Sequence, residues 1–201
     1  MDTFTNVQSA LKTAMAEDIA WLSHGRVPGQ KPDPTYNPWM PFQCAEFVAM
    51  LAECVAEANG DKFLDVGSGI GTKVLLAERL FSLDAYGIEY DETMAAYANA
   101  DDRRTLCWDA LDAGADGYEV PDIIWLYRPF RDGFKQAQLE HRIFENMKPG
   151  AIIAGAAWEN KPNGFEIIID DLDEASQIRG AWRKPLGFET VSYDLDADEL
   201  S

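Results

Sequence analysis

Acidic residues and glycines follow predicted strands at spacings that suit a ligand containing a nucleoside. Three glycines stand at two-residue intervals: Gly67, Gly69 and Gly71. They come directly after the apolar stretch Phe63–Val66, which only Asp65 interrupts. Such a turn lets the backbone bend sharply and lets a ligand approach where a Cβ would otherwise stand. Glu89 ends a second apolar stretch about 20 residues later, where an acid can accept hydrogen bonds from a ribose.

Alternating strands and helices are needed to bring these residues together. Helical spacing of apolar residues, or N-cap and stop signals, predicts helices over residues 43–58, 74–81, 92–98 and 132–147. Short apolar runs predict strands at residues 63–66, 85–88, 105–107, 123–127, 151–157, 165–169 and 180–183, with residues 188–193 as a further edge pairing. The last strands follow one another without a long helix, which indicates antiparallel pairing. The fold class is therefore α/β, a Rossmann-like, doubly wound, mostly parallel seven-stranded sheet with an antiparallel edge.

The first 42 residues differ in character from the rest of the chain. Apolar residues at 3–4 spacing predict an amphipathic helix over residues 3–23, and residues 24–41 contain five prolines. We expect an N-terminal helical lid with a proline-rich loop at residues 1–42, and one compact domain at residues 43–201. Trp39 and Phe42, near Tyr36, either bind a substrate or pack a connector onto the core.

Charge and composition limit the partners. The chain of 201 residues has 17 basic and 35 acidic residues, a net charge of −18, which argues against broad nucleic-acid binding. The acidity serves solubility or offers a face to a basic partner. No apolar run approaches the ~18 residues of a membrane span. Three cysteines in apolar surroundings, without paired spacing, are interpreted as reduced core residues of a cytoplasmic protein.

Two ligand classes fit a glycine turn followed by a ribose-binding acid. A dinucleotide is recognised by GxGxxG, but here GSGIG is followed by Thr72, so the third glycine comes one residue early. Asp65 would also place a negative charge beside the diphosphate. S-adenosylmethionine, with a net charge of about +1, is attracted by acids near the turn.

Three motifs in order resemble the class I S-adenosylmethionine-dependent methyltransferases. FLDVGSGIGT at residues 63–72 is similar to their D-x-G-x-G-x-G motif, GIEYD at residues 87–91 to their second-strand motif, and CWDAL at residues 107–111 to their third-strand Asp motif. The resemblance covers about residues 43–157. It implies methyl transfer from S-adenosylmethionine, with S-adenosylhomocysteine as the product.

The same resemblance implies a role for each matching residue. Glu89 would hold the ribose, Tyr90 would pack against adenine, and Asp109 would accept the adenine amino group with Ala110 beside it. The methionine half would meet Asp65 and the backbone of Gly67, Ser68, Gly69 and Gly71, with polar contacts from Thr72 and Gln43. The plainer alternatives are that Asp65 ends a strand and that Asp109 caps the next helix.

The sequence offers fewer signals for the residues that would contact the methyl acceptor. Tyr127 and Arg128 are candidate catalytic residues, and Arg128 and Phe130, with Trp39 and Phe42, are candidate substrate contacts. Arg128 would bind a carboxylate or phosphate, or else form a structural ion pair. Tyr127, Asp109 or Glu159 would assist proton removal, and no metal site is expected.

Three functions remain open from the sequence. We expect methyl transfer to an unidentified acceptor, with a small molecule or a protein side chain favoured. The alternatives are a nicotinamide-dependent oxidoreductase and a non-catalytic Rossmann-like binding module. The oligomeric state is not encoded in any pattern that we find.

Overall fold

The computed structural model describes residues 8–16, 19, 36, 44–172 and 178–187. Its helices are α1 (residues 8–16), α2 (Cys44–Glu57), α3 (Thr72–Phe81), α4 (Glu92–Ala100), α5 (Ala115–Glu119) and α6 (Gly133–Asn146). Its strands are β1 (Lys62–Val66), β2 (Asp84–Glu89), β3 (Thr105–Cys107), β4 (Ile123–Tyr127), β5 (Ile152–Trp158), β6 (Glu166–Leu172) and β7 (Ile178–Arg183). Strands and helices alternate through the centre of the chain, as a parallel sheet requires.

The seven strands of the described residues form one sheet in the order β3-β2-β1-β4-β5-β7-β6. Strands β1 to β5 pair in parallel, whereas β7 lies antiparallel between β5 and β6. The strand order reverses between β1 and β4, and ligands bind at the carboxyl ends of the strands at such a switch point. The predicted doubly wound sheet with antiparallel pairing near one edge is confirmed.

The sheet is buried on both faces. Side chains of β1 and β4 alternate between two apolar clusters: Phe63 and Trp125 lie on one face, and Leu64 and Leu126 on the other. Helices α1, α2 and α3 contribute to the first cluster, and α5 and α6 to the second. This explains why β4 reads as a continuous apolar run rather than an alternating one.

Some local predictions need correction or lie outside the described residues. Helix α5 was not predicted, because five residues give too short a period to recognise. Cys54 is buried as expected, but Cys107 is exposed, because its strand β3 forms the edge of the sheet. Residues 188–193 lie outside the described part. Within it, no helix is long and apolar enough to cross a membrane.

The N-terminal helix joins the core. In α1, Ala10 and Ala14 are buried in the same cluster as α2 and the sheet. Residues 20–35 and 37–43 are outside the described part, so the predicted division at residue 42 and the lid stay predictions.

Candidate functional site

A tight turn follows β1 and joins it to the tip of β2. The backbone N–H groups of Gly67 and Ser68 both donate to the Ile88 carbonyl, at 2.8 and 3.0 Å, and Gly71 N donates to Ser68 O at 2.9 Å. From the other side, the buried Arg103 donates from Nη1 to the Ile70 carbonyl at 2.9 Å. The turn is therefore held on one side by hydrogen bonds to β2 and on the other by the hydrogen bond from Arg103.

Backbone geometry requires glycine in this turn. Gly67, Gly69 and Gly71 have φ angles of 76°, 57° and 73°, in the left-handed region that other residues rarely adopt. A Cβ at Gly67 would lie 3.0 Å from Pro129 Cβ. Pro129 follows β4, so this close approach brings the tip of β4 against the turn. Gly71 also precedes α3 as an N-cap without a side-chain cap, which leaves the helix N-terminus suited to an anionic group.

Asp65 is a buried carboxylate inside β1. It is 1% exposed, and within the described part of the chain its Oδ2 atom has no hydrogen-bond partner. Burial raises the pKa of Asp65, and the nearby charge of Lys73 lowers it by a smaller amount. The Ser68 Oγ atom is buried and, among the described residues, is also without a partner. A buried polar atom without a partner is costly unless a ligand satisfies it.

Glu89 links the tip of β2 to the glycine turn. Its Oε2 accepts from Gly69 N at 2.7 Å, and its Oε1 accepts from Asp91 N at 2.8 Å. Burial raises the pKa of Glu89, and these two N–H donors oppose that rise. Each carboxylate oxygen has a second lone pair, so the group retains acceptors for a ribose.

An aromatic ring and a carboxylate lie together beyond the turn. Tyr90 is 48% exposed, and the Tyr36 ring stacks on it with centroids 4.3 Å apart and planes 11° apart. Tyr36 also donates from its hydroxyl to Asp109 Oδ2 at 2.9 Å. Asp109 Oδ1 accepts from Leu111 N at 2.9 Å, and Tyr118 donates to the Ala110 carbonyl at 2.7 Å. The bonds from Tyr36 and Leu111 hold the Asp109 carboxylate, and the bond from Tyr118 holds the backbone of the next residue.

The tip of β4 carries the candidate acceptor residues. Arg128 has a φ of 33°, a strained value for a residue with a side chain. Its Nη2 lies 2.5 Å from Glu159 Oε1, beyond β5, and both side chains are about one-third exposed. Thus Arg128 forms the ion pair that the sequence left as one of two alternatives. Tyr127 is half-buried, whereas Phe130 is fully buried and contacts the Tyr36 ring at a centroid distance of 4.9 Å.

A buried polar pair on α6, which the sequence did not reveal, holds these tips in place. Gln136 Oε1 accepts from Phe130 N at 3.3 Å, and Gln136 Nε2 donates to Glu140 Oε1 at 2.9 Å. Glu140 also accepts from the backbone N–H groups of Glu159 and Asn160, at 2.9 and 2.8 Å. Burial raises the pKa of Glu140 against these hydrogen bonds. Residues 136 and 140 share a helical face with Ile143 and Met147, which are buried. Polar residues on such an apolar face indicate a buried hydrogen-bond network.

The structure brings most of the predicted residues together near the carboxyl ends of the parallel strands. The described ones are Asp65, Gly67, Ser68, Gly69, Gly71, Thr72, Glu89, Tyr90, Asp109, Ala110, Tyr127, Arg128 and Phe130. Trp39, Phe42 and Gln43 lie outside the described residues. The roles of all of them stay predictions, because the structure fixes position and not ligand.

Comparison with known proteins agrees with this geometry. Residues 43–110 match the family model of the histone methylation protein DOT1. This match covers α2, the glycine turn and the strand tips through Asp109, and leaves the acceptor side unmatched. No curated protein sequence matches the chain.

Solved structures share the fold at low sequence identity. An RNA methyltransferase from Salinibacter ruber, in complex with S-adenosylhomocysteine, is 22% identical, with a TM-score of 0.57 over 78% of this chain and 99% of that one. A methylase from Haemophilus influenzae is 16% identical, with a TM-score of 0.55 over 70% and 97%. The N-methyltransferase NodS from Bradyrhizobium japonicum is 11% identical, with a TM-score of 0.53 over 72% and 97%. Strand order, glycine turn and these likenesses agree: the chain has the fold of the class I S-adenosylmethionine-dependent methyltransferase superfamily.

Proposed function

We propose that the chain binds S-adenosylmethionine and transfers its methyl group to an acceptor, leaving S-adenosylhomocysteine. The observation that carries this proposal is the buried Asp65 carboxylate, whose Oδ2 atom has no partner among the described residues. A cationic ligand at the turn would satisfy it. A diphosphate would instead meet a desolvated negative charge, which disfavours the nicotinamide alternative.

The strand tips supply a matching set of contacts for the cofactor. Glu89 would accept from the ribose, Tyr90 would stack on the adenine, and Asp109 would accept from its amino group. The N-terminus of α3, preceded by Gly71, would meet the carboxylate of the methionine half. The carboxylates of Glu89 and Asp109 accept hydrogen bonds from backbone N–H groups, so both are held in position before a ligand binds.

The cofactor would supply a methyl group on a sulfonium, open to in-line attack by the acceptor. The chain would then act mainly through orientation, since a correctly placed lone pair needs little further assistance. Arg128 and Glu159, at the tips of β4 and β5, would contact the acceptor. Arg128 has no hydrogen-bond acceptor, so it cannot take the proton of a target amine. Glu159 or Tyr127 would fill that role.

The acceptor is proposed to be a small molecule or a protein side chain. The net charge of −18 disfavours extended contact with nucleic acid. The ion pair between Arg128 and Glu159 adds to this, because Glu159 already neutralises the arginine that would meet a phosphate.

Titration calorimetry with S-adenosylhomocysteine and with NAD tests the cofactor. We expect S-adenosylhomocysteine to bind and NAD not to bind, and the reverse result would overturn the proposal. Incubation with methyl-labelled S-adenosylmethionine and panels of amines, carboxylic acids and purified proteins then tests transfer. Tight cofactor binding without transfer to any acceptor would favour the non-catalytic binding module instead.

A further inference from the structure

Tyr36 lies against both groups that the proposed function assigns to adenine. Its ring stacks on Tyr90, with centroids 4.3 Å apart and planes 11° apart, and its hydroxyl donates to Asp109 Oδ2 at 2.9 Å. A tyrosine side chain and an adenine share two features: each has a flat aromatic face, and each has a hydrogen-bond donor at its far end.

Adenine cannot stack on the face of Tyr90 that the Tyr36 ring covers. Rings with centroids 4.3 Å apart are in contact, so no third ring fits between Tyr36 and Tyr90. At Asp109 the Tyr36 hydroxyl donates to Oδ2, as the adenine amino group would, while Oδ1 accepts from Leu111 N. We propose that Tyr36 occupies the adenine subsite of the free protein and competes with the cofactor for it. This inference rests on the proposed function.

The backbone of Tyr36 is tied to the acceptor side of the site. It forms an antiparallel bridge with Phe130, two residues after Arg128, and the two rings are 4.9 Å apart. Phe130 in turn donates from its backbone N–H to Gln136. Departure of the Tyr36 ring therefore releases a contact with the β4 tip, so that cofactor binding changes the surroundings of the candidate acceptor residues.

A competitor within the chain weakens the apparent affinity in proportion to its occupancy. If the site is open in only a fraction of molecules, the measured Kd is the intrinsic Kd divided by that fraction. Removal of the ring in Tyr36→Ala should tighten the binding of S-adenosylhomocysteine about 10-fold or more. Tyr36→Phe keeps the stacking and loses only the hydrogen bond to Asp109, so it should tighten binding by a smaller factor.

Calorimetric titrations with S-adenosylhomocysteine and with adenosine measure this effect. Both probes carry adenine, so both should bind Tyr36→Ala and Tyr36→Phe more tightly than they bind the unmodified chain. Tyr97→Phe, at a half-exposed tyrosine of α4, is the matched control and should leave both affinities unchanged. Circular dichroism melting shows that each variant is folded before titration.

The outcomes separate this inference from the proposed function. Equal affinities for the unmodified chain and both Tyr36 variants would refute the competition and leave the methyltransferase proposal standing. Weaker binding by Tyr36→Phe would also refute it, because Tyr36 would then be a wall of the cofactor site. Measurable binding of S-adenosylhomocysteine by Tyr36→Ala, with none by the unmodified chain, would support the competition most directly. If neither the chain nor the variants bind S-adenosylhomocysteine, both proposals fail.

Discussion

Replacement of Asp65 by asparagine changes a buried charge into a neutral amide of nearly the same shape. In the structure this carboxylate is 1% exposed and, among the described residues, its Oδ2 atom lacks a partner. Burial raises the pKa of Asp65 by more than the charge of Lys73 lowers it. The ionised carboxylate is therefore less favourable in the folded protein than in water. We expect Asp65→Asn to stabilise the unliganded protein while weakening its binding of S-adenosylhomocysteine.

Both changes can be given a magnitude. The asparagine amide is still polar and buried, but it carries no charge. Removing the cost of the unpaired buried charge should raise the free energy of unfolding at neutral pH by about 1–3 kcal/mol. For a chain of this length the melting midpoint should rise by about 2–4 °C per kcal/mol. A hydrogen bond to a charged group contributes about 1.5–3 kcal/mol, so the dissociation constant of S-adenosylhomocysteine should rise about 10-fold to 150-fold.

Melting by circular dichroism and titration calorimetry measure the two effects on one preparation. Asp61→Asn is the control, because Asp61 is an exposed acid just before the same strand, and we expect it to leave both quantities nearly unchanged. A lower midpoint with unaltered affinity for S-adenosylhomocysteine would refute the reasoning. It would mean that Asp65 stabilises the strand and faces no cationic ligand.

Three further predictions concern carboxylates of the site. Glu89→Ala should raise the dissociation constant of S-adenosylhomocysteine about 10-fold to 150-fold, and an unchanged calorimetric affinity would remove Glu89 from the site. Because burial raises the pKa of Asp65 and of Glu89, both groups take up protons as pH falls, above the usual range of about 3.9–4.3. Calorimetry at decreasing pH, starting from pH 8, should show the affinity for S-adenosylhomocysteine falling. In the unliganded protein, protonation removes the cost of burying these charges, so stability should rise as the pH falls from the folded towards the unfolded pKa values. Affinity independent of pH would contradict this. Glu140→Ala should lower the free energy of unfolding in urea by about 2–5 kcal/mol, since it leaves buried donors unpaired, whereas Glu145→Ala, on the same helix, should change it by less than about 1 kcal/mol; equal urea midpoints for the two variants would contradict the role of Glu140.

Local sequence predicted the central part of the fold well because the signals there are local. An apolar run, a glycine turn and a helical period occupy consecutive residues from β1 through α3, so each element specifies the next. The place of β7 between β5 and β6 depends on pairing between distant segments. No short-range pattern encodes that choice, so the sequence predicted the antiparallel pairing but not its order.

The exposure of Cys107 and the burial of Glu140 both depend on where the assembled fold places these residues. Cys107 has apolar neighbours, but its strand is at the edge, and exposure there follows from the strand order rather than from the residue. Glu140 looks like a surface acid by type, since charged residues are seldom fully buried without partners. Its burial is possible because the chain returns after β5 and presents two backbone N–H groups to it, in addition to the Gln136 amide.

The contacts of Tyr36 could not be predicted from the sequence, in contrast to the contact between Glu89 and the glycine turn. Glu89 and Gly69 are joined by the β1–α3–β2 unit, so sequence spacing alone placed the carboxylate beside the turn. Tyr36 and Asp109 are 73 positions apart, with no shared motif, and only the assembled fold brings them to 2.9 Å. Because the same aromatic ring also contacts Phe130, one non-local side chain connects the predicted adenine contacts with the predicted acceptor contacts. Affinity for the cofactor in this chain should therefore depend on a residue outside every motif that identifies the cofactor.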